Sequence, residues 1–230
     1  LTYQPATRSF TRVELGAAGP ALRVEASVGA SVDGGRLAVV GGRTATGAAS
    51  PLVEAVRPAD GTVSGTVNGR PRVGATVTLL PGGDAIVAGG DVGADLAGVR
   101  TVDHLAGLDG APTLDPGPGG TAATNRAYHA AALLGDHVVL VGGLHLGATG
   151  VEDQGPAMLA ARISNTTLAA AAIDTAMASA VAYPGALTLH DGGVLAAGGA
   201  SPGGVCGRTI LCPAPSSLRF DTDAMGPRAA

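Results

Sequence analysis

Four Gly-Gly pairs begin at Gly41, Gly89, Gly142 and Gly198, and each closes a run of four or five small apolar residues. This recurrence constrains the fold more than any other feature of the chain. The pairs are separated by 48, 53 and 56 residues, a period typical of repeat arrays. Ahead of every pair stands the same pattern: an apolar run, a turn signal, a second apolar run. The turn signals are Asp33-Gly34-Gly35, Pro81-Gly82-Gly83-Asp84, Gly135-Asp136 and Asp191-Gly192-Gly193. Such residues between two short apolar runs predict β-hairpins. Glycine ends many strands in a glycine-rich chain, but four pairs in one phase point to a shared structural demand. Where backbones crowd together, a residue without Cβ permits the close approach and the unusual dihedrals.

Composition narrows the core. The chain is 46% hydrophobic but only 2% aromatic, with no Trp, so alanine and valine dominate the apolar surface. Small side chains fill a core only if backbones lie close, which stacked sheets achieve more readily than a helical bundle. The net charge is -4, and all 14 basic residues are Arg. They read as scattered and not as a stripe, so nucleic-acid binding is not expected. Without lysine there is no Walker A loop, no Schiff base and no Ser-Lys dyad. The charge-free stretch at residues 175–189 is broken by Pro184 and Gly185, and no membrane span is expected.

After each Gly-Gly comes a variable, polar, Gly/Pro-rich stretch and then a second strand-turn-strand segment. Residues 52–67 and 158–168 show it, residues 1–13 have the same shape, and Leu218-Arg-Phe220 begins it. Residues 105–126 are rich in Gly and Pro where the second unit should supply its outer strand, and read as loop. Residues 166–182 are Ala-rich and helical by propensity, but the repeat phase assigns strand.

The run from Arg72-Val-Gly-Ala-Thr through Pro81-Gly-Gly-Asp to Gly89-Gly90, with Arg126-Ala-Tyr128-His129 opening the third unit, resembles the kelch repeat. The resemblance extends over nearly the whole chain. It departs from the family in lacking the Trp and the Tyr that follows Gly-Gly, and so is similar to the degenerate bacterial type. It implies an all-β fold: a β-propeller of four-stranded antiparallel blades, about four in residues 1–230. Residues 1–15 would supply the outer strands of an incomplete or closing blade. Residues 225–230 look like the lead-in to another repeat. Either the N-terminal strands complete a small ring, or the chain is a slice of a larger propeller, which is the reading adopted.

Candidate chemistry is sparse. The histidines at 104, 129, 137, 145 and 190 show no mutual metal-ligand spacing. Each is expected to be structural or superficial, and His129, beside Tyr128, to be buried and hydrogen-bonded. Asp91 and Asp95 lack the ligand density of a calcium loop. No metal and no cofactor are expected. No Gly-x-Ser-x-Gly elbow occurs. Galactose oxidase, a copper enzyme built on kelch-like blades, needs Tyr and His ligands and a Cys-Tyr crosslink. The tyrosines here, at 3, 128 and 183, and the loop cysteines do not suggest that site. Cys206 and Cys212, five residues apart in a Gly/Pro-rich stretch, are expected to form a disulfide, which would place the protein in an extracytoplasmic compartment.

The expected function is non-catalytic recognition of a protein or a glycan through the loops that follow each Gly-Gly. Arg43, Asp91, Asp95, His145, Glu152 and Asp153 are the candidate contacts. The alternatives are a repeat scaffold with no ligand of its own and, less favoured, a propeller enzyme.

Overall fold

The computed structural model describes residues 2–4, 7, 9–11, 19–31, 35–90, 102–115, 126–135, 137–147, 150–153, 158–164, 167–173, 182–202, 211–213 and 217–220. They form strands and no helix. An N-terminal hairpin pairs β1 (Thr2–Gln4) with β2 (Ser9–Thr11). The first sheet contains β3 (Ser27–Ala30), β4 (Leu37–Val40), β5 (Leu52–Val56) and β6 (Val63–Asn68). The second contains β7 (Thr76–Leu79), β8 (Ala85–Ala88), β9 (Val102–Ala106) and β10 (Thr113–Asp115).

The third unit opens with β11 (Ala130–Leu134) and β12 (His137–Val141), then makes a separate hairpin of β13 (Leu144–Gly147) and β14 (Gly150–Asp153), and resumes with β15 (Met158–Ser164) and β16 (Thr167–Ile173). The fourth repeats the plan with β17 (Gly185–Thr188) and β18 (Val194–Ala197), a hairpin of β19 (Ala200–Pro202) and β20 (Leu211–Pro213), and β21 (Ser217–Phe220).

Three sheets are four-stranded antiparallel meanders, ordered β3-β4-β5-β6, β7-β8-β9-β10 and β11-β12-β15-β16; the fourth pairs β17-β18-β21. All four hairpins predicted before the Gly-Gly pairs are present, and each pair directly follows the second strand of its sheet. The Ala-rich stretch forms β16, in register with β15 from Met158↔Ile173 to Ser164↔Thr167. The repeat phase therefore overrides alanine's helical propensity. One expectation is corrected: the reading of residues 105–126 as loop fails at β10, where Thr113–Asp115 pairs with Ala106–His104.

The sheets stack face to face, as β8 shows. All four of its residues are buried, and its two faces serve different layers because strand side chains alternate. Ala85 and Val87 pack with Ala38 and Val40 of the first sheet. Ile86 and Ala88 pack with Val138 and Leu140 of the third. Each such buried valine or isoleucine contributes about 1.5–3 kcal/mol. The first strands of successive sheets lie side by side in the order β3, β7, β11, β17. Within the described residues no helix is long and apolar enough to cross a membrane.

Candidate functional site

Each unit enters its first strand through a short lead-in: Arg23-Val24-Glu25, Arg72-Val73-Gly74, Arg126-Ala127-Tyr128 and Ala182-Tyr183. The last residue of each lead-in has a left-handed backbone, with φ of 57° at Glu25, 63° at Gly74, 55° at Tyr128 and 54° at Tyr183. For a residue with a side chain this conformation costs about 1–2 kcal/mol. Backbone bonds between units hold it: Tyr128 N–H donates to Gly74 O (2.7 Å), and Tyr183 N–H to Tyr128 O (2.9 Å). The strained position thus links one unit to the next.

The arginines of the lead-ins fix them in place. Arg72 and Arg126 are each 1% exposed. Arg72 donates from Nη1 to Gly89 O (3.1 Å) and from Nη2 to the buried Asp103 carboxylate of β9. Arg126 donates to Gly142 O (2.5 Å). Arg23 donates to Leu52 O (2.7 Å) and pairs with Glu54 of β5. Burial pushes Arg126 down to about 10, which leaves it protonated at neutral pH. It pushes Arg72 down as well, against the opposing field of Asp103. These arginines read as scattered in the sequence; three of them occupy one phase of the repeat.

The same lead-ins abut the Gly-Gly pair of the preceding unit. Gly42 N–H donates to Arg72 O and Gly90 N–H to Arg126 O, both at 2.8 Å. A Cβ on Gly41 would stand 2.1 Å from Arg72 O, and one on Gly89 2.2 Å from Arg126 O. Backbone oxygens that close exclude any side chain, which is why glycine recurs there.

The side chains at the left-handed positions converge on a cavity of about 590 Å³, lined also by Ser27, Thr76 and small aliphatic residues of β3, β7 and β11. The rings of Tyr128 and Tyr183 lie 4.9 Å apart, tilted by 37°. Tyr183 is half-exposed, and partial burial, then Tyr128 and Glu25, raise its phenol pKa. Arg43 donates from Nε to Glu25 Oε2 (2.9 Å) and from Nη1 to Gly47 O (3.3 Å). Its hydrogen bonds to Glu25 and to Tyr128 hold its pKa above the ordinary value. The hydroxyls of Ser27 and Thr76 are committed to the protein. Ser27 Oγ donates to Ala75 O (2.7 Å), and Thr76 Oγ1 bonds His129 Nε2 (2.8 Å). His129 is buried, and desolvation, helped by the Arg126 charge, pushes its pKa down to about 3. It is buried and hydrogen-bonded, as expected from the sequence, and its low pKa keeps it neutral.

Of the candidate contacts, only Arg43 is placed beside this cavity by a described side-chain bond. His145, Glu152 and Asp153 are not on a loop, as expected, but on the β13–β14 hairpin, where His145 is cross-strand to Glu152 and Leu144 to Asp153. Across the same hairpin Leu146 pairs with Val151 and Gly147 with Gly150. Asp91 and Asp95 lie outside the described residues, as does Cys206; Cys212 is in β20, opposite Ser201. Sequence reading missed Glu25, Tyr128 and Tyr183. Their signal was present: Ala127-Tyr128 and Ala182-Tyr183 stand at one distance before their hairpins. Among the described residues no three His, Cys, Asp or Glu side chains group as metal ligands.

No protein-family model matches the chain, and no curated protein matches it. Among solved structures it is similar to that of YjhT, with a TM-score of 0.63 and 16% sequence identity over 86% of this chain and 64% of that one. The likeness is one of fold. The chain spans about 64% of YjhT's length.

Proposed function

We propose that the chain is a run of four kelch-type propeller blades and acts as a recognition module that binds a glycan at the Glu25–Arg43–Tyr128–Tyr183 cluster. The repeat phase, the stacked four-stranded meanders and the fold likeness to YjhT support the blade assignment. One observation carries the binding site: the left-handed lead-in positions of consecutive blades direct a carboxylate and two phenol rings into one open cavity. A half-exposed tyrosine offers an apolar face for the C–H surface of a sugar and a hydroxyl for its polar edge. Glu25 accepts and Arg43 donates hydrogen bonds to sugar hydroxyls. Tyrosine and arginine are also the residues that dominate binding energy where they cluster.

A glycan array followed by calorimetry tests this reading. Tyr183→Ala removes one face of the cluster and Arg43→Ala its donor, and each is expected to weaken binding about 5- to 30-fold, equivalent to about 1–2 kcal/mol. Folded variants that bind as the parent does would move the site elsewhere. A parent that binds no glycan but captures a protein would replace the glycan with a protein ligand, and one that binds neither would favour a scaffold.

A further inference from the structure

Two residues after their left-handed lead-in positions, the four first strands carry Ser27, Thr76, Ala130 and Gly185. Two of these bring hydroxyls, and both line the cavity. Their bonds differ in kind. Ser27 Oγ meets a backbone carbonyl, Ala75 O, which only accepts, so the serine proton is used inside the protein. Thr76 Oγ1 meets His129 Nε2 of the next unit at 2.8 Å, and a neutral ring nitrogen can either give or take the proton. Which of the two donates decides what Thr76 offers the cavity.

The surroundings of His129 decide it. The residue is 6% exposed, and its buried Nδ1 meets no hydrogen-bond partner. A proton on Nδ1 would make an N–H sealed away from any acceptor, at a cost of about 1–3 kcal/mol. The Arg126 side chain stands against the same residue: a Cβ on Gly143 would meet Arg126 Cγ at 2.9 Å and His129 Cβ at 3.0 Å. A cation so close favours a lone pair on Nδ1 over an N–H. With the proton on Nε2 the ring's one donor is satisfied by Thr76, and a buried lone pair is tolerated better than a buried N–H. His129 therefore donates and Thr76 Oγ1 accepts. That bond commits a lone pair of the threonine and leaves its proton, on a half-buried residue that lines the cavity.

We infer that Thr76 is a hydrogen-bond donor of the glycan site, its proton turned into the cavity by His129, and that the ligand meets it with an oxygen acceptor. The inference rests on the glycan reading of that cavity. Ala130 and Gly185 bring no hydroxyl and Ser27 has no proton to give, so among the four matching positions donation falls to Thr76. The ring of Tyr128 lies over Gly74, where a Cβ would meet it at 2.6 Å, two residues before Thr76. An apolar face and a fixed donor thus belong to one wall. His129, buried behind that wall, is a positioning residue: it holds the hydroxyl by its oxygen.

Two measurements on the whole chain test it. Long-range proton–nitrogen NMR at neutral pH, with the His129 signals identified by their loss in His129→Gln, should place the ring proton on Nε2. A proton on Nδ1 overturns the inference whatever the ligand. Calorimetry with the glycan selected on the array then reads the donor. Thr76→Val keeps the shape and should weaken binding about 5- to 30-fold, whereas Thr76→Ser restores the hydroxyl and should bind within about threefold of the parent. A purely structural role would lower the melting temperature of Thr76→Val without this split in affinity, and would overturn the inference. If Thr76→Val does not fold, a crystal structure of the parent with the glycan decides: a ligand oxygen about 2.5–3.0 Å from Thr76 Oγ1 is expected, and a ligand seated in the cavity without one overturns it. Unchanged binding by Thr76→Val beside weakened binding by Tyr183→Ala removes Thr76 from the site and leaves the glycan reading standing. A parent that binds no glycan removes both.

Discussion

The buried pair of Arg72 and Asp103 permits a quantitative test of how the sheets are held. The two side chains are 1% and 0% exposed, and Arg72 also donates to Gly89 O at 3.1 Å. Arg72→Met keeps most of the volume but strands the Asp103 carboxylate in a dry site. Removing one partner of such a pair costs about 3–5 kcal/mol, a large share of the roughly 5–15 kcal/mol that stabilises a domain. Arg72→Met/Asp103→Leu removes both charges, so the desolvation penalty goes with them, and most of the loss should return. The coupling between the two sites is then about 3 kcal/mol, well above the scatter of additive pairs. Urea unfolding followed by circular dichroism reads this directly. With a slope of about 3 kcal/mol per molar, the single variant shifts the midpoint down by about 1 M or more, and the double variant lies close to the parent. The reasoning fails if Arg72→Met costs less than about 1 kcal/mol, or if the double variant loses the sum of the two singles.

Two further outcomes are expected. Gly89→Ala sets a Cβ 2.2 Å from Arg126 O at φ +62° and should cost about 3 kcal/mol or more, combining strain with a displaced hydrogen bond between successive units; Gly47→Ala, at φ +81° with open space, should cost only the strain of about 1–2 kcal/mol, and equal melting temperatures for the two would refute the close contact at Gly89. His129 has a folded pKa of about 3 against 6.5, so the unfolded chain binds the extra proton between these values; its contribution is complete above pH 6.5 and declines as pH falls toward 3, by about 2–3 kcal/mol over the first two units. His129→Gln should flatten that part of the stability-pH curve, and an unchanged slope would count against a buried neutral imidazole.

The hairpins were legible in the sequence because turn glycines and Gly-Gly exits are local demands that show wherever they occur. β16 was legible only through phase, since Thr167–Ile173 taken alone favours helix. β10 was missed because three residues between prolines carry too little pattern; pairing with Ala106–His104 makes that strand, and pairing is a tertiary fact. The candidate site was mostly not legible. Polarity after Gly-Gly drew attention to Arg43, which does reach Glu25, but also to residues that the β13–β14 hairpin takes up. The tyrosines were passed over as too few, because nothing in a linear chain shows that residues 128 and 183 stand 4.9 Å apart. The arginines were passed over because a charge is usually on the surface, and only the Asp103 and Glu54 positions reveal that theirs is inside.

The left-handed positions are occupied by glutamate, glycine, tyrosine and tyrosine in succession, on one unchanged backbone. What fixes the backbone lies next to them, in the buried arginines and the glycine cradles, and not in those four side chains. Load and lettering are thus carried by different residues. A chain built this way can exchange the groups that face its cavity one codon at a time while its joints stay intact. Two proteins with the same hairpins and the same Gly-Gly rhythm can then answer to unrelated ligands. For comparing such chains, the left-handed residue of each lead-in is then the first place to look for a difference in the proposed binding, ahead of the repeat that makes them look alike.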